Sequence, residues 1–278
     1  LIVNIYNGMI QSLLPVEEPL VRTHFDKIDK TVARGIGQMN WKSNGIDFFI
    51  QESTTCVKSA DLVLSTLKTN LGKAEEIMAE WALAPLLSRT SKPVSIQEFD
   101  SVHKVLLSQK YPEIKSGGSQ IHALLKESNK VLKVSQGLPD WKAYVDFVNN
   151  TVVEGLARVV SLSLAFLSDQ IDPEEIRRRD KMPMLEIDLT LLDTEVMFSP
   201  DLFETAKRDG VRDVVNGWID SFFNTSTIFK RLDTNNGTYL KELRNNMTIC
   251  AQLARIMEFA EGSEAEMIAF RQQYESYS

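Results

Sequence analysis

The residue types that most often carry out chemistry in proteins are scarce in this sequence, and their spacing does not bring them together. Three histidines (His24, His103 and His122) and two cysteines (Cys56 and Cys250) are present among 278 residues. A zinc site needs three or four convergent donors, and these five residues fall on separate predicted elements with no H-E-x-x-H spacing. We therefore expect partly exposed or core-edge histidines, no bound metal and reduced thiols.

Two short motifs could bind a nucleotide or calcium, but both lack required residues. Gly35-Ile36-Gly37 has no third glycine and no preceding strand, and the sequence contains no GxxxxGK[ST] phosphate loop. Residues 233–237 resemble a calcium loop, yet glycine falls one position too early and Arg244 stands where a bidentate glutamate is needed. We predict no catalytic residue and no cofactor in this chain, and we interpret residues 233–237 as a turn between helices.

One dense basic cluster stands out, formed by Arg177, Arg178, Arg179 and Lys181. It has two interpretations. It is either a solvated segment favourable to the negative end of the preceding helix, or an interface for an acidic protein partner. These four residues are the candidate protein-interface residues of the chain.

Composition excludes several classes of protein. With 38 acidic and 31 basic residues, a net charge of −7 and 43% apolar residues, the chain has the composition of a folded, water-soluble protein. A duplex-binding protein would carry a concentrated basic footprint. The longest near-apolar stretch, residues 156–167, is shorter than the ~18 residues needed to span a bilayer. We expect no nucleic-acid or membrane partner, and we interpret the chain as an internal part of a larger intracellular protein.

Long amphipathic stripes dominate the rest of the sequence. Residues facing one side recur with alternating spacings of three and four from Ile50 to Trp81, which predicts a helix over about 46–82 that ends before Pro85. Such a helix is a rod of roughly 50 Å. A second long stripe runs from Trp141 to Leu167. These stripes predict an elongated, mainly α protein of stacked helical bundles.

Local motifs add helix boundaries. Ser95-Ile96-Gln97-Glu98 has the form of a capping box, and the helix that follows it is predicted to stop near Tyr111-Pro112. Asp172-Pro173-Glu174-Glu175 predicts another helix start, with a capping carboxylate, proline at the first position and acids at the positive end of the helix dipole.

One segment departs from the helical pattern. Between residues 184 and 198 apolar and polar residues alternate, and Asp193-Thr194 can form a turn, which predicts a single β-hairpin. Two strands alone are marginally stable, so the hairpin must lie against helices or pair with other strands. We predict two domains: a helical bundle over 1–136 that contains the long helix, and a second bundle over 139–278 that contains the hairpin.

Five blocks of sequence resemble the N-terminal tail of dynein heavy chains, in the region shortly before the linker and most closely in axonemal, outer-arm chains. Their order and spacing cover most of residues 40–230. The blocks are Trp41–Ile50, Ile77–Trp81, Trp141–Val145, Pro183–Leu189 and Val196–Leu202.

This resemblance implies a structural role. In that family the tail associates with other heavy chains, intermediate and light chains and docking factors, and it attaches the motor to a cargo or to a doublet microtubule of the ciliary or flagellar axoneme. ATP and magnesium act in the AAA+ ring of the parent motor, so the resemblance implies no catalytic residue and no cofactor in this part of the chain. The expected location is the cytoskeleton.

Two alternatives are open from the residues alone. An unrelated spectrin-like or tethering helical rod would share the stripes but would not need the hairpin. An all-α enzyme with a site between helices is disfavoured, because the stripes lack convergent polar residues.

Overall fold

The fold is mainly α-helical with one β-hairpin, as the sequence predicts. The computed structural model describes residues 2–40, 44–180, 182–192, 195–199, 210–233 and 237–275. The elements in these ranges are α1 (Ile2–Ser12), α2 (Glu18–Gln38), α3 (Ile46–Trp81), α4 (Ile96–Leu132), α5 (Pro139–Ile171), α6 (Pro173–Arg178), β1 (Asp188–Leu192), β2 (Glu195–Ser199), α7 (Val211–Asn224), α8 (Leu240–Arg244) and α9 (Met247–Glu275).

The described chain groups into two compact units. The first contains the described residues of Leu1–Ile77, Ser119–Thr151 and Leu232–Asn235. The second contains those of Met78–Gly118, Val152–Arg231 and Asn236–Ser278. The division at residues 136–139 drawn from the sequence stays a prediction.

The long helix predicted over 46–82 is confirmed as α3, which has 36 residues. Its stripe is buried along most of its length, at Val57, Ala60, Leu64, Leu67, Ala74, Met78 and Trp81. The other two described tryptophans, Trp141 and Trp218, are buried as well. Trp41 and Ser43, in the predicted start of this region, lie outside the described residues.

The predicted helix end near Tyr111-Pro112 is wrong, because α4 continues through Pro112 to Leu132. A proline inside a helix removes one backbone hydrogen bond and costs about 3 kcal/mol. Pro112 lies on the exposed side of α4, whereas Leu107 before it and Ile114 after it are both buried. Burying one such side chain stabilises by about 1.5–3 kcal/mol, so the buried residues on both sides outweigh the missing bond.

The same helix uses a glycine as a contact surface in the second unit. Gly118 is buried, and the ring of Phe229 lies directly against it. A Cβ atom added to Gly118 would be 2.4 Å from Phe229 Cγ. A residue without a side chain is therefore required here for the Phe229 ring to approach the helix. Glycine lowers the intrinsic stability of the helix, and the contact with Phe229 offsets this effect.

In the first unit, a charged pair connects Glu17, the residue just before α2, with α3. Glu17 has no exposed surface, and its carboxylate accepts hydrogen bonds from the Leu14 backbone N–H at 2.9 Å and from Lys68 Nζ at 2.6 Å. On the same helix, Asn70 donates to the Leu124 carbonyl and to the Ser128 hydroxyl of α4. These bonds add directional contacts to the apolar packing between the helices.

By length and composition alone, α5 is apolar enough to cross a membrane. Its apolar residues are those of a core helix, since Val152, Leu156, Val159 and Leu164 have no exposed surface. That hydropathy is typical of a helix buried along one face.

The hairpin predicted at 184–198 is confirmed, with its strands at Asp188–Leu192 and Glu195–Ser199. The strands are antiparallel, and Leu189 faces Phe198 while Leu191 faces Val196. The turn residues Asp193 and Thr194 lie outside the described residues.

Candidate protein-interaction site

The basic cluster sits at the end of α6, a six-residue helix of the second unit that is held at its start by Asp172. Asp172 Oδ1 accepts hydrogen bonds from the backbone N–H groups of Glu174 at 2.9 Å and Glu175 at 3.4 Å. Its Oδ2 accepts from Arg255 Nη2 of α9 at 2.8 Å. The helix start predicted from the sequence is therefore confirmed, and the same carboxylate also fixes α6 to α9.

The three arginines are exposed and only partly neutralised. Arg178 Nη2 and Arg179 Nε both approach Glu175 Oε2, at 2.8 Å and 2.9 Å. Among the described residues no ion pair involves Arg177. Because two guanidinium groups share one carboxylate, the cluster keeps positive charge on its surface, next to the negative end of the α6 dipole.

Both interpretations of the basic cluster fit this geometry. The arginines favour the helix end that they occupy, and they remain accessible to an acidic partner. The fourth candidate residue, Lys181, lies outside the described residues. A protein interface at Arg177, Arg178, Arg179 and Lys181 stays a prediction.

The hairpin follows the basic cluster and packs on α9 through one face. Phe198 of β2 makes an edge-to-face contact with Phe270, with ring centroids 6.5 Å apart, and Arg271 lies over the Phe198 ring at 5.4 Å. Residues opposite each other across an antiparallel pair share a face. The face that meets α9 is therefore built from Leu189, Leu191, Val196 and Phe198.

Arg89 secures the segment that leads into the hairpin, and the sequence analysis did not single it out. It follows α3, and its Nη1 donates to Gln170 Oε1 of α5 at 3.2 Å. Its Nη2 donates to the backbone carbonyls of Met182 and Pro183. A lone arginine in a connecting segment has no sequence pattern that would reveal these carbonyl partners.

A buried polar cluster joins α4 to α7 in the second unit. His103 Nε2 lies 3.0 Å from Ser221 Oγ, and Tyr111 donates to the Ser221 carbonyl at 2.7 Å. The Ser221 hydroxyl donates to the Trp218 carbonyl, so Nε2 is the protonated nitrogen and donates to Ser221. Burial lowers the pKa of His103, while the nearby Asp100 carboxylate opposes that effect.

This cluster has the residue types of a nucleophilic pair but not the required roles. An activated serine donates its proton to the histidine, whereas Ser221 donates to a backbone carbonyl. His103 and Ser221 are both buried. The expectation of a core-edge histidine holds for His103.

No metal cluster is visible in the described ranges, where no group of three or more His, Cys, Asp or Glu side chains is placed to hold an ion. An open cavity of about 580 Å³ lies in the first unit, between the end of α4 and the start of α5. Its lining mixes Lys126 and Lys142 with Asp146 and the edge of Trp141. A lining with both positive and negative side chains does not favour a particular class of ligand. The absence of a cofactor stays a prediction.

Comparison with known proteins decides the family. The family "Dynein heavy chain, N-terminal region 1" matches residues 1–49, which comprise α1, α2 and the first turn of α3. A dynein beta chain of the flagellar outer arm of Chlamydomonas reinhardtii is 34% identical over 278 residues, which is 100% of this chain and 6% of the relative. The chain belongs to the dynein heavy chain family.

Two further dynein chains are similar to this chain and support the same family. A ciliary dynein beta chain of Tripneustes gratilla is 30% identical over 84% of this chain and 5% of the relative. Human dynein axonemal heavy chain 9 is 28% identical over 86% of this chain and 5% of the relative. The chain thus spans only about 6% of the length of the curated relatives it matches, and it is a segment of the dynein heavy-chain tail. These comparisons give no support to an unrelated helical rod.

Proposed function

We propose that this chain is a structural segment of the tail of an axonemal dynein heavy chain, most like those of outer arms. In this role its helices form a scaffold for association with other heavy chains, for binding intermediate and light chains, and for transmitting force between the anchoring site and the motor. The expected location is the ciliary or flagellar axoneme. The observation that carries the proposal is 34% identity over the whole chain with a flagellar outer-arm beta chain.

The chain itself is proposed to be non-catalytic and without a cofactor. ATP hydrolysis would belong to the parent motor, outside the residues present here. Neither nucleic acid nor membrane is proposed as a partner. Supporting this, the sequence has no phosphate loop, and the buried His103–Ser221 pair is arranged as a structural contact.

A segment exchange tests the proposal. In Chlamydomonas reinhardtii, the aligned segment of the outer-arm beta chain would be replaced by residues 1–278 of this chain. We expect outer arms to assemble on the axoneme, as seen by electron microscopy and by sedimentation of extracted arms. A second exchange, with a spectrin-like helical rod of equal length, serves as the control. Failure of both exchanges, or equal success of both, would contradict a specific role in assembly.

A further inference from the structure

Among the described residues, the outer strand of the hairpin has no partner strand on its second edge. Within the described residues the sheet has two strands only, in the order β1-β2. Phe198 of β2 contacts α9, whereas Leu191 of β1 is exposed, and we therefore call β1 the outer strand. Natural edges are commonly blocked by lysine or proline, and β1, with the sequence DLTLL, has neither.

The apolar face of the hairpin is covered only in part. On that face Phe198 meets α9, whereas Leu191 of the outer strand is 69% exposed. A third strand beside β1 would extend this face, because its own side chains on that side would lie next to Leu189 and Leu191. Every second residue of the added strand should therefore be apolar.

The opposite face carries negative charge. Asp188 points to the side away from α9, since it alternates with Leu189 along the strand. Glu186, two residues earlier, is also exposed. Residues 184–199 contain four acidic residues and no lysine or arginine. The remaining residues of an added strand, which would lie beside Asp188, should therefore be basic.

We infer that β1 is the docking edge for an extended segment of a partner polypeptide that alternates apolar and basic residues and adds to the hairpin as a third strand. Backbone hydrogen bonds would hold the segment, and alternate side chains would give selectivity. A second copy of this hairpin is a poor occupant, because its acidic residues would face those of β1. The inference deepens the scaffold role proposed above and rests on that role for the assembly that supplies the partner.

The test uses the complete 278-residue chain and a short peptide that alternates valine and lysine. We expect saturable binding by fluorescence anisotropy and slowed hydrogen exchange at the β1 amides. A valine–glutamate peptide should bind at least about tenfold more weakly. A second control is the same valine–lysine peptide with alternate backbone nitrogens N-methylated, which keeps its charge but cannot pair with a strand. Its affinity should also be at least about tenfold lower.

Charge reversal on the protein provides the second arm of the test. Asp188→Lys should weaken binding of the valine–lysine peptide by about tenfold and strengthen binding of the valine–glutamate peptide. Asp61→Lys, the same change at an exposed position of α3, should not change the affinity for either peptide. Circular dichroism of each variant verifies that the fold is kept.

Three results would overturn the inference. One is equal binding of the N-methylated peptide, which would show a purely electrostatic contact. Another is peptide-induced protection at α9 with none at β1. The third is a dimer of the chain alone with protected β1 amides, which would make a second copy the occupant. If any of these occurred while the segment exchange still restored outer arms, the docking edge would fail and the scaffold role would stand.

Discussion

His103 shows how a single buried residue can make the stability of this chain depend on pH. Its Nε2 donates to Ser221, and its Nδ1 is buried with no hydrogen-bond partner among the described residues. Protonating Nδ1 would bury an unpaired donor on a charged ring, which is costly. The nearby Asp100 carboxylate favours the protonated ring and opposes this effect.

We expect the free energy of unfolding to fall as the pH drops below about 6.5, the ordinary pKa of histidine in an unfolded chain. Burial lowers the pKa of His103 in the folded state, so the unfolded chain binds the proton first. Stability is therefore complete above pH ~6.5 and is lost as the pH falls toward the lower, folded value. Urea unfolding followed by tryptophan fluorescence at pH 7.5 and 5.5 measures the difference.

His103→Gln isolates this effect, since glutamine can donate to Ser221 but does not titrate. The variant should lose less stability than the parent chain between the two pH values. His122→Gln, on the half-buried side of α4, is the matched control for replacing a histidine of the same helix. An unchanged pH dependence in His103→Gln would contradict the assignment.

Gly118 offers a second test at the scale of one residue. Gly118→Ala should lower the free energy of unfolding by about 1–3 kcal/mol, because the new methyl group collides with the Phe229 ring. Gly262→Ala is the control: nothing lies within 4 Å of its added Cβ, so it should gain up to about 1 kcal/mol from helix propensity. Chemical denaturation of both variants gives the comparison. A neutral Gly118→Ala would contradict the close contact.

Single-residue contacts were the least predictable part of the structure. The sequence predicts partly exposed or core-edge histidines, and it reveals no contact partner for Arg89 or Gly118. Their roles depend on partners more than 90 residues away along the chain, the Met182 carbonyl and Phe229. No local pattern encodes such a contact when helices pack through long-range apolar surfaces.

Among the elements, α6 depends on one carboxylate for its attachment. Asp172→Ala removes both the helix cap and the pair with Arg255, and it should cost about 1–2 kcal/mol. Hydrogen exchange at residues 173–178 should become faster in this variant. Asp172→Asn keeps an oxygen for the cap but loses the charge, so its hydrogen-exchange rates should lie between those of the parent chain and Asp172→Ala. Equal exchange in all three proteins would show that α6 is held by other contacts.

Helices with a continuous stripe were predictable, whereas their interruptions were not. The bounds of α3 agree with the 3-4 pattern because its apolar residues lie on one buried face. The predicted helix end at Pro112 is wrong because it considers only the backbone hydrogen bond that proline removes. In the folded chain, burial of residues on both sides of Pro112 stabilises the helix by more than that bond. The hairpin was recognised from its period of two, which no helix of this length shares.

For the whole molecule, we predict that the purified 278-residue chain hydrolyses no ATP above the buffer background. The sequence has no phosphate loop, and the proposed role places the motor outside this chain. A coupled phosphate-release assay, with an intact dynein motor as the positive control, makes the measurement. Turnover that persists through further purification and stays proportional to the amount of the chain would contradict the non-catalytic role.

At this scale the family could be recognised from the order of a few blocks between residues 40 and 230, and the whole-chain identity confirms it. The family match itself covers residues 1–49, of which only the end, in the block Trp41–Ile50, contributes to the resemblance read from the sequence. That region is built from short amphipathic helices, α1 and α2, whose patterns are common to many helical proteins.

The alternation of side chains in the hairpin constrains the number of residues in β1 more strictly than it constrains which aliphatic residues stand there. Inserting or deleting one residue between Leu189 and Leu191 of β1 would turn Asp188 toward the face that packs on α9, because side chains alternate along a strand. Homologous tails can therefore exchange one aliphatic residue for another on this strand, but single-residue indels there should be absent from functional heavy chains.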